Sequence, residues 1–127
     1  MIQKLSQEAK TPDPTILVPK AALKAADEMG VPAKTLARAL GVSETTVSRW
    51  KSEKTPIKVD SKEFELAIMF IRLFRSLDAI AGGDRQTTRT WMTGHNSVLG
   101  GKPIDMIQTI SGLFNVVAYL DSRRAIV

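Results

Sequence analysis

The chain has 127 residues, a formal net charge of +5 and no cysteine. Its length suits one domain of ordinary size, or two small modules that share a core. The lack of cysteine excludes disulfides, thiolate metal sites and cysteine nucleophiles, and it is typical of proteins of the reducing cytoplasm. Hydrophobic residues make up 43% of the chain and aromatic residues only 6%, so aliphatic side chains must supply most of the core.

The sequence contains no segment that resembles a membrane anchor. Residues 1–14 lack an apolar run followed by small residues, so they do not resemble a signal peptide. The most apolar stretch, residues 64–82, carries Glu65, Arg72, Arg75 and Asp78, which is more charge than a membrane span tolerates. We therefore expect a cytoplasmic protein without a membrane partner.

The chain is predicted to begin with an arm, followed by a helix. Residues 1–15 are polar and contain two prolines, a composition typical of a flexible arm. Pro19 is predicted to open the first helix, because the fixed backbone of proline suits the first helical position. Gly30 is predicted to end it, since glycine readily adopts the left-handed backbone that closes many helices.

Two further helices are predicted in the stretch AKTLARALGVSETTVSRWKSE, residues 33–53. Their predicted bounds are 33–40 and 44–52. Gly41 lies in the turn between them, and the small side chain of Ala37 is placed where the two helices cross most closely. Five apolar side chains fall on the inward positions that hold such a pair together: Leu36, Leu40, Val42, Val47 and Trp50.

This stretch resembles the helix-turn-helix of DNA-binding regulators of the Xre/Cro type, and we assign residues 16–58 to that region. The resemblance implies that the outward face of the second motif helix enters the major groove of operator DNA. The charge agrees, because residues 34–58 hold six basic and two acidic residues. Two alternatives stay open at this point: a basic face that is merely solvated, and a motif kept only as a packing or dimerisation scaffold.

Individual DNA contacts follow from a helical rotation of about 100° per residue. The predicted DNA-facing positions are Ser43, Glu44, Thr45, Ser48, Arg49 and Ser52. Arg49 is the candidate for a bidentate contact with guanine, and Thr45 for a contact with a base or a thymine methyl group. Glu44 can accept from cytosine or repel a wrong register, and Ser43 is also the predicted N-cap. Phosphate contacts are predicted for Lys34, Lys51 and Lys54.

The second half of the chain is also predicted to be helical. Residues 54–60 predict a linker, because Pro56 disfavours a helix there. A long helix follows over residues 61–83. Its apolar face is broader than a surface helix needs, so it is either a central helix or a subunit interface. Asp84 is predicted to cap a shorter helix that runs through Trp91.

Two more helices are predicted near the C-terminus. Pro103 opens the first, with Ile104, Ile107 and Ile110 on one side. Gly112 separates it from the last helix, which has an apolar face of Leu113, Val116, Val117 and Leu120. No segment alternates as a strand would. The predicted fold class is therefore all-α, with an N-terminal helix-turn-helix followed by a small helical domain over residues 59–127.

The stretch WMTGHNSVLGGKPIDMI, residues 91–107, has a composition that invites a search for catalytic residues. His95 is the only histidine and the chain has no cysteine, so a conventional zinc site is excluded. The segment LGGKP lacks the spacing of a phosphate-binding P-loop. Ser97 lies near His95, but nearness in sequence supplies neither an acid partner nor an oxyanion pocket. We therefore predict no catalytic residue, no metal and no cofactor, and we do not expect an enzyme.

Residues from about Asp60 to Leu120 resemble the toxin-binding domain of the MbcA/ParS/Xre family of antitoxins. The family motif is a tryptophan that ends a short helix, a turn with Asn, Leu and Gly, a proline that opens the next helix, and a glycine before the last one. The matching residues are Trp91, Asn96, Leu99, Gly100, Pro103 and Gly112. The resemblance implies a rigid corner in which Trp91 anchors the core, Asn96 bonds turn backbone and Leu99 folds back onto the helices.

The resemblance also implies a role and partners. The expected protein is a bacterial type II antitoxin, a homodimer within a larger toxin–antitoxin complex. Its expected partner is a RES-domain toxin, which consumes NAD⁺ or transfers ADP-ribose from it, and whose NAD⁺ site the antitoxin obstructs. The antitoxin is also expected to repress its own operon. The alternative is a stand-alone, phage-type repressor whose C-terminal half only dimerises.

The C-terminal end departs from the family pattern. The family often ends its last helix with a short glycine-containing tail, which this chain lacks. The predicted toxin-binding residues lie here instead: Tyr119, Arg123, Arg124, Ala125, Ile126 and Val127. The alternative is an ordinary frayed helix end, whose basic residues suit the negative end of the helix dipole.

Overall fold

The computed structural model describes residues 13–53 and 55–126, and these residues form seven helices and no strand. The helices are α1 Pro14–Met29, α2 Ala33–Leu40, α3 Glu44–Ser52, α4 Lys62–Ile80, α5 Arg85–Thr93, α6 Pro103–Met106 and α7 Ile110–Ile126. The predicted all-α fold is confirmed. Most of the predicted arm lies outside the described residues, and its last two residues belong to α1.

α1 begins at Pro14, so the prediction that Pro19 opens this helix was wrong. Asp13 is the N-cap, because its side chain accepts a hydrogen bond from the backbone N–H of Thr15 at 3.0 Å. Pro19 lies inside the helix, where it cannot donate to the carbonyl of Thr15. The backbone N–H of Ile57 donates to that carbonyl at 2.9 Å instead. The segment after α3 is thereby tied to the first turn of α1.

α2 and α3 form the predicted helix pair with the predicted bounds. Gly41 closes α2 with a φ of 72°, in the left-handed region that glycine adopts without strain. Ser43 caps α3, because its hydroxyl accepts from the backbone N–H of Thr46 at 3.1 Å. Val42 is half-buried. The other inward positions are buried as predicted: Leu36, Leu40, Val47 and Trp50. Ala37, at the predicted crossing of the two helices, is buried as well.

α4 is the central helix of the fold. It packs against α1, α2 and α7. Phe70 and Leu73 are fully buried between these neighbours, and each such side chain contributes about 1.5–3 kcal/mol of hydrophobic free energy. Contacts within the chain therefore account for part of the broad apolar face of this helix, while Ile68 and Ile80 are 45% and 43% exposed. A dimer contact through α4 stays a prediction.

α5 joins the two halves of the molecule. Asp84 caps it as predicted, since the carboxylate accepts from the backbone N–H of Thr87 at 2.9 Å. The helix packs against α1. The guanidinium of Arg89 donates to the carbonyls of Asp27 and Glu28 in the last turn of α1, where carbonyl groups lack helical partners. The end of α1 is thus held by a side chain from the second half of the chain.

The C-terminal helices differ from their predicted bounds. α6 is only one turn long, from Pro103 to Met106, and α7 already begins at Ile110. Gly112 lies inside the first turn of α7, so the prediction that it separates two helices was wrong. Ile107 is buried, but Ile110 is 59% exposed, because the chain turns between them and they do not share a face.

Candidate functional site

The first candidate surface is the outward face of α3, which we call the recognition face. The predicted DNA-contacting residues within the described part of the chain are all exposed: Lys34, Ser43, Glu44, Thr45, Ser48, Arg49, Lys51 and Ser52. Lys54 lies outside the described residues. Val47 and Trp50, on the opposite side of α3, are buried against the rest of the domain. The rotation expected from the sequence therefore agrees with the exposure of this helix.

Hydrogen bonds within the helix-turn-helix order part of the recognition face. The Ser43 hydroxyl caps α3, and the Ser52 hydroxyl donates to the carbonyl of Ser48 at 3.2 Å. These contacts hold the two ends of α3. Arg49 and Thr45 lie on the exposed side between them. Guanidinium and hydroxyl groups in this position can form hydrogen bonds with base edges in a major groove.

The N-terminus of α2 borders the recognition face. A cleft of about 390 Å³ between α2 and α3 is lined by Ala33, Glu44, Thr45, Ser48 and Lys51. Pro32 is the N-cap of α2 and makes no side-chain cap hydrogen bond. The first backbone N–H groups of a helix have no acceptor within it, and in α2 no cap side chain supplies one. Such groups bind phosphate well. With Lys34 and Lys51 beside them, this edge can hold a DNA backbone.

The second candidate surface begins at the corner between α5 and α6. Asn96 organises it, since its side-chain oxygen accepts from the backbone N–H of Leu99 at 3.0 Å. Its backbone forms an antiparallel bridge with Gly101. Gly100 has a φ of 87°, a left-handed conformation that favours glycine. These contacts close a tight turn, which brings the start of α6 next to the end of α5.

The motif residues of the corner pack to different depths. Pro103 is buried, whereas Trp91 and Leu99 are half-buried. The fully buried residue at the end of α5 is Met92, which the motif did not single out. His95 is exposed, and the described residues contain no group of three or more metal-ligating side chains.

The C-terminal end of α7 carries a stack of planar side chains. The rings of Trp91 and Tyr119 lie 6.3 Å apart between centroids, with 13° between their planes. The guanidinium carbon of Arg123 lies 5.8 Å from the centroid of the Tyr119 ring, within the range of a cation–π contact. The stack links the corner to α7 and orients Arg123, which is exposed.

The two adjacent arginines of the predicted toxin-binding set point to different places. Arg123 lies on Tyr119, whereas a guanidinium nitrogen of Arg124 donates to the Ser76 hydroxyl of α4 at 3.1 Å. The side chains of Ala125 and Ile126, and the whole of Val127, lie outside the described residues. The structure therefore joins Tyr119 and Arg123 in one cluster and places Arg124 in another.

An apolar patch at the start of α7 is missing from the predicted sites. Ile110 and Phe114 are 59% and 58% exposed and lie one helical turn apart, so their apolar side chains are neighbours on the surface of α7. Phe114 also lines a groove of about 140 Å³ between α4 and α7, together with Met69, Arg72, Val117, Ala118 and Asp121. The signal in the sequence was that α7 has more apolar residues than one buried stripe requires. We call Ile110 and Phe114 the α7 patch.

Within residues 13–53 and 55–126, no helix combines the length and the hydropathy that crossing a membrane requires.

Two protein-family models match the chain in succession. Residues 10–72 match the antitoxin Xre-like helix-turn-helix domain, which covers the recognition face. Residues 76–125 match the antitoxin Xre/MbcA/ParS C-terminal toxin-binding domain, which covers the corner and almost all of α7. A comparison with curated proteins gives no match. From its helix-turn-helix and its toxin-binding domain together, the chain belongs to the Xre/MbcA/ParS antitoxins of toxin–antitoxin systems.

Proposed function

We propose that this antitoxin neutralises a RES-type toxin, which consumes NAD⁺ or transfers ADP-ribose, by covering the entrance of its NAD⁺ site. The match of residues 76–125 to the toxin-binding domain carries the proposal. The RES partner is inferred from the resemblance to MbcA/ParS antitoxins. In this account the chain acts by binding and needs no cofactor.

The proposed toxin contact is the C-terminal end of α7. Arg123 presents an exposed cation there, and the stack on Tyr119 reduces the side-chain freedom that binding would remove. A guanidinium suits the acidic or phosphate-recognising groups expected at the mouth of an NAD⁺ site. Ala125, Ile126 and Val127 follow directly in sequence, and we propose that they enter that mouth.

We further propose that the recognition face binds operator DNA and represses the antitoxin's own operon. Arg49 is proposed to read a guanine, while Lys34, Lys51 and Lys54 are proposed to contact phosphates. A homodimer would place two recognition faces about one DNA turn apart on a pseudo-palindromic operator. We keep the division at residue 58 as the proposed boundary between the DNA-binding and toxin-binding regions.

The proposal is tested by co-expressing the chain with the product of the neighbouring gene, followed by copurification and an NAD⁺ consumption assay. The expected result is a stable complex with little activity, and free toxin that consumes NAD⁺. A second preparation uses a chain that ends at Arg124, which leaves the described contacts of α7 in place. If that chain binds but no longer inhibits, residues 125–127 do the blocking. A neighbouring product that neither binds the chain nor consumes NAD⁺ would favour the stand-alone repressor.

A further inference from the structure

A small polar cluster lies between α4 and the end of α7, away from the Arg123 stack. Ser76 is completely buried on α4, a helix whose buried residues are otherwise apolar. Its hydroxyl donates to the Asp121 carboxylate at 2.8 Å and accepts from Arg124 at 3.1 Å. Asp121 also forms an ion pair with Arg72 of α4, at 2.5 Å. The cluster therefore joins the last turns of α7 to α4 by hydrogen bonds and charge.

The helical spacing explains why Arg124, and not Arg123, reaches this cluster. The buried face of α7 includes Leu113, Val117 and Leu120, and position 124 continues it one turn later. Arg123 is rotated from Arg124 by about 100°, onto the side of Tyr119. Both arginines are exposed overall, but Arg124 bonds to Ser76 of α4 and Arg123 lies over the ring of Tyr119.

The chemistry of the Ser76 hydroxyl couples its two partners. A serine hydroxyl has a single hydrogen, which here is given to Asp121, and its lone pairs can then accept from Arg124. If either partner is removed, the Ser76 hydroxyl loses one of its two hydrogen bonds, and its buried site is shielded from the water that could replace it. Because both partners belong to α7 and Ser76 belongs to α4, the cluster fixes the rotation of the last helical turn.

We propose that Arg124 is a positioning residue for toxin neutralisation. Its bond to Ser76 fixes the last turn of α7, so that Arg123 meets the toxin in one orientation. This inference rests on the proposed function, in which that end of α7 contacts the toxin. In this proposal Arg124 does not contact the toxin directly, and inhibition also depends on Ser76 and Asp121.

A double-mutant cycle in the full-length chain tests the proposal. The variants are Ser76→Ala, Arg124→Ala and the double variant, and each is titrated against the NAD⁺-consuming product of the neighbouring gene. We expect each single variant to weaken inhibition by about three- to tenfold. The double variant should lose little more than either single one, because both remove the same contact. Arg124→Lys should recover part of the loss, since an ammonium can also donate to the hydroxyl.

The matched control is a second cycle between Ser76→Ala and Arg123→Ala. Arg123 has the same charge and the neighbouring position, but it contacts Tyr119 instead of the cluster. In the stability of the chain without toxin, its effect should add to that of Ser76→Ala, because the two side chains share no contact. If the Ser76/Arg124 cycle is additive, or if Arg124→Ala leaves inhibition unchanged, the positioning role is refuted. Circular dichroism melts of each variant identify any loss of inhibition that arises from unfolding.

A measurement without toxin separates this inference from the proposed function. Amide hydrogen exchange, followed by NMR over residues 120–124, should be faster in Ser76→Ala and Arg124→Ala than in the unchanged chain. It should stay the same in Arg123→Ala. Equal exchange in all four proteins would overturn the proposal, whatever the toxin does. A different outcome is faster exchange in Ser76→Ala and Arg124→Ala while the unchanged chain binds no toxin. That result would refute the RES-toxin function, but it would still show that the Ser76–Arg124 bond holds the last turn of α7.

Discussion

A Cβ atom on Gly112 would lie 1.8 Å from the carbonyl oxygen of Met106, far inside van der Waals contact. Gly112 also donates its backbone N–H to the Thr109 hydroxyl at 3.0 Å. Only glycine therefore allows the end of α6 to pack against the first turn of α7. We expect Gly112→Ala to destabilise the fold by at least about 1–3 kcal/mol, the usual cost of overpacking, and to weaken toxin binding.

Thermal melts of Gly112→Ala and Ser111→Ala check this prediction. Ser111 precedes Gly112 on α7 and is exposed, so its replacement by alanine should leave the melting temperature nearly unchanged. Equal melting temperatures for Gly112→Ala and the unchanged chain would show that the two helices can move apart at little cost.

Arg49→Ala should weaken operator binding without affecting the fold, since Arg49 is exposed on the recognition face. A guanidinium that reads a guanine is worth about 1–3 kcal/mol of discrimination, and its loss should relax specificity at that base pair. The measurement is a titration with duplexes from the region upstream of the gene, carrying single base-pair changes. Arg123→Ala is the control, because it should leave DNA affinity unchanged. If Arg49→Ala binds with unchanged affinity and sequence preference, Arg49 does not read a base.

Lys51→Gln should lower the salt dependence of DNA binding. Each phosphate contact that is lost reduces the slope of log K against log salt by about 0.9, because fewer counterions are released. Lys51 lines the cleft between α2 and α3, whereas Lys102 lies at the start of α6. The same substitution at Lys102 should leave the slope unchanged. A general electrostatic attraction would instead give the same change for both lysines.

Asp84 should make part of the stability depend on pH. The hydroxyl and then the backbone N–H of Thr87 donate to its carboxylate and hold its pKa below the ordinary value of 3.8. The folded state therefore favours the ionised form. This contribution is complete above the unfolded pKa and disappears as the pH falls through the lower, folded pKa.

Asp84→Asn tests that pH dependence, because asparagine also caps helices but carries no charge. The melting temperature of the unchanged chain should exceed that of the variant at neutral pH. The difference should shrink as the pH falls below 3.8. A difference that stays constant across this range would mean that the ionisation of Asp84 does not contribute.

Local signals in the sequence predicted the helix-turn-helix well. The bounds of α2 and α3 and their buried residues follow from apolar spacing, a turn glycine and a serine cap, all within residues 33–53. The prediction for the start of α1 was wrong for an equally local reason. Two prolines compete for the first helical position, and the N-cap Asp13 selects Pro14 over Pro19. Pro19 is tolerated because Ile57, far along the chain, bonds the carbonyl that this proline leaves without a partner.

Contacts between residues far apart along the chain could not be predicted from the sequence. Ser76 and Arg124 are 48 residues apart, and no periodicity indicates that they meet. Two adjacent arginines near a C-terminus look equivalent until packing of α7 assigns one to Tyr119 and the other to Ser76. Gly112 was recognised as a motif residue, but the close approach of Met106 that requires it depends on the turn between α6 and α7.

The proposed covering of the toxin's NAD⁺ site by the antitoxin can be checked by measuring NAD⁺ binding to the purified complex. A catalytically inactive toxin variant is titrated with NAD⁺ by calorimetry, first alone and then in complex with the full-length chain. We expect the toxin alone to bind NAD⁺ and the complex to bind it far more weakly or not at all. Equal affinity of the two for NAD⁺ would contradict occlusion, and any inhibition would then have to act on a step after binding.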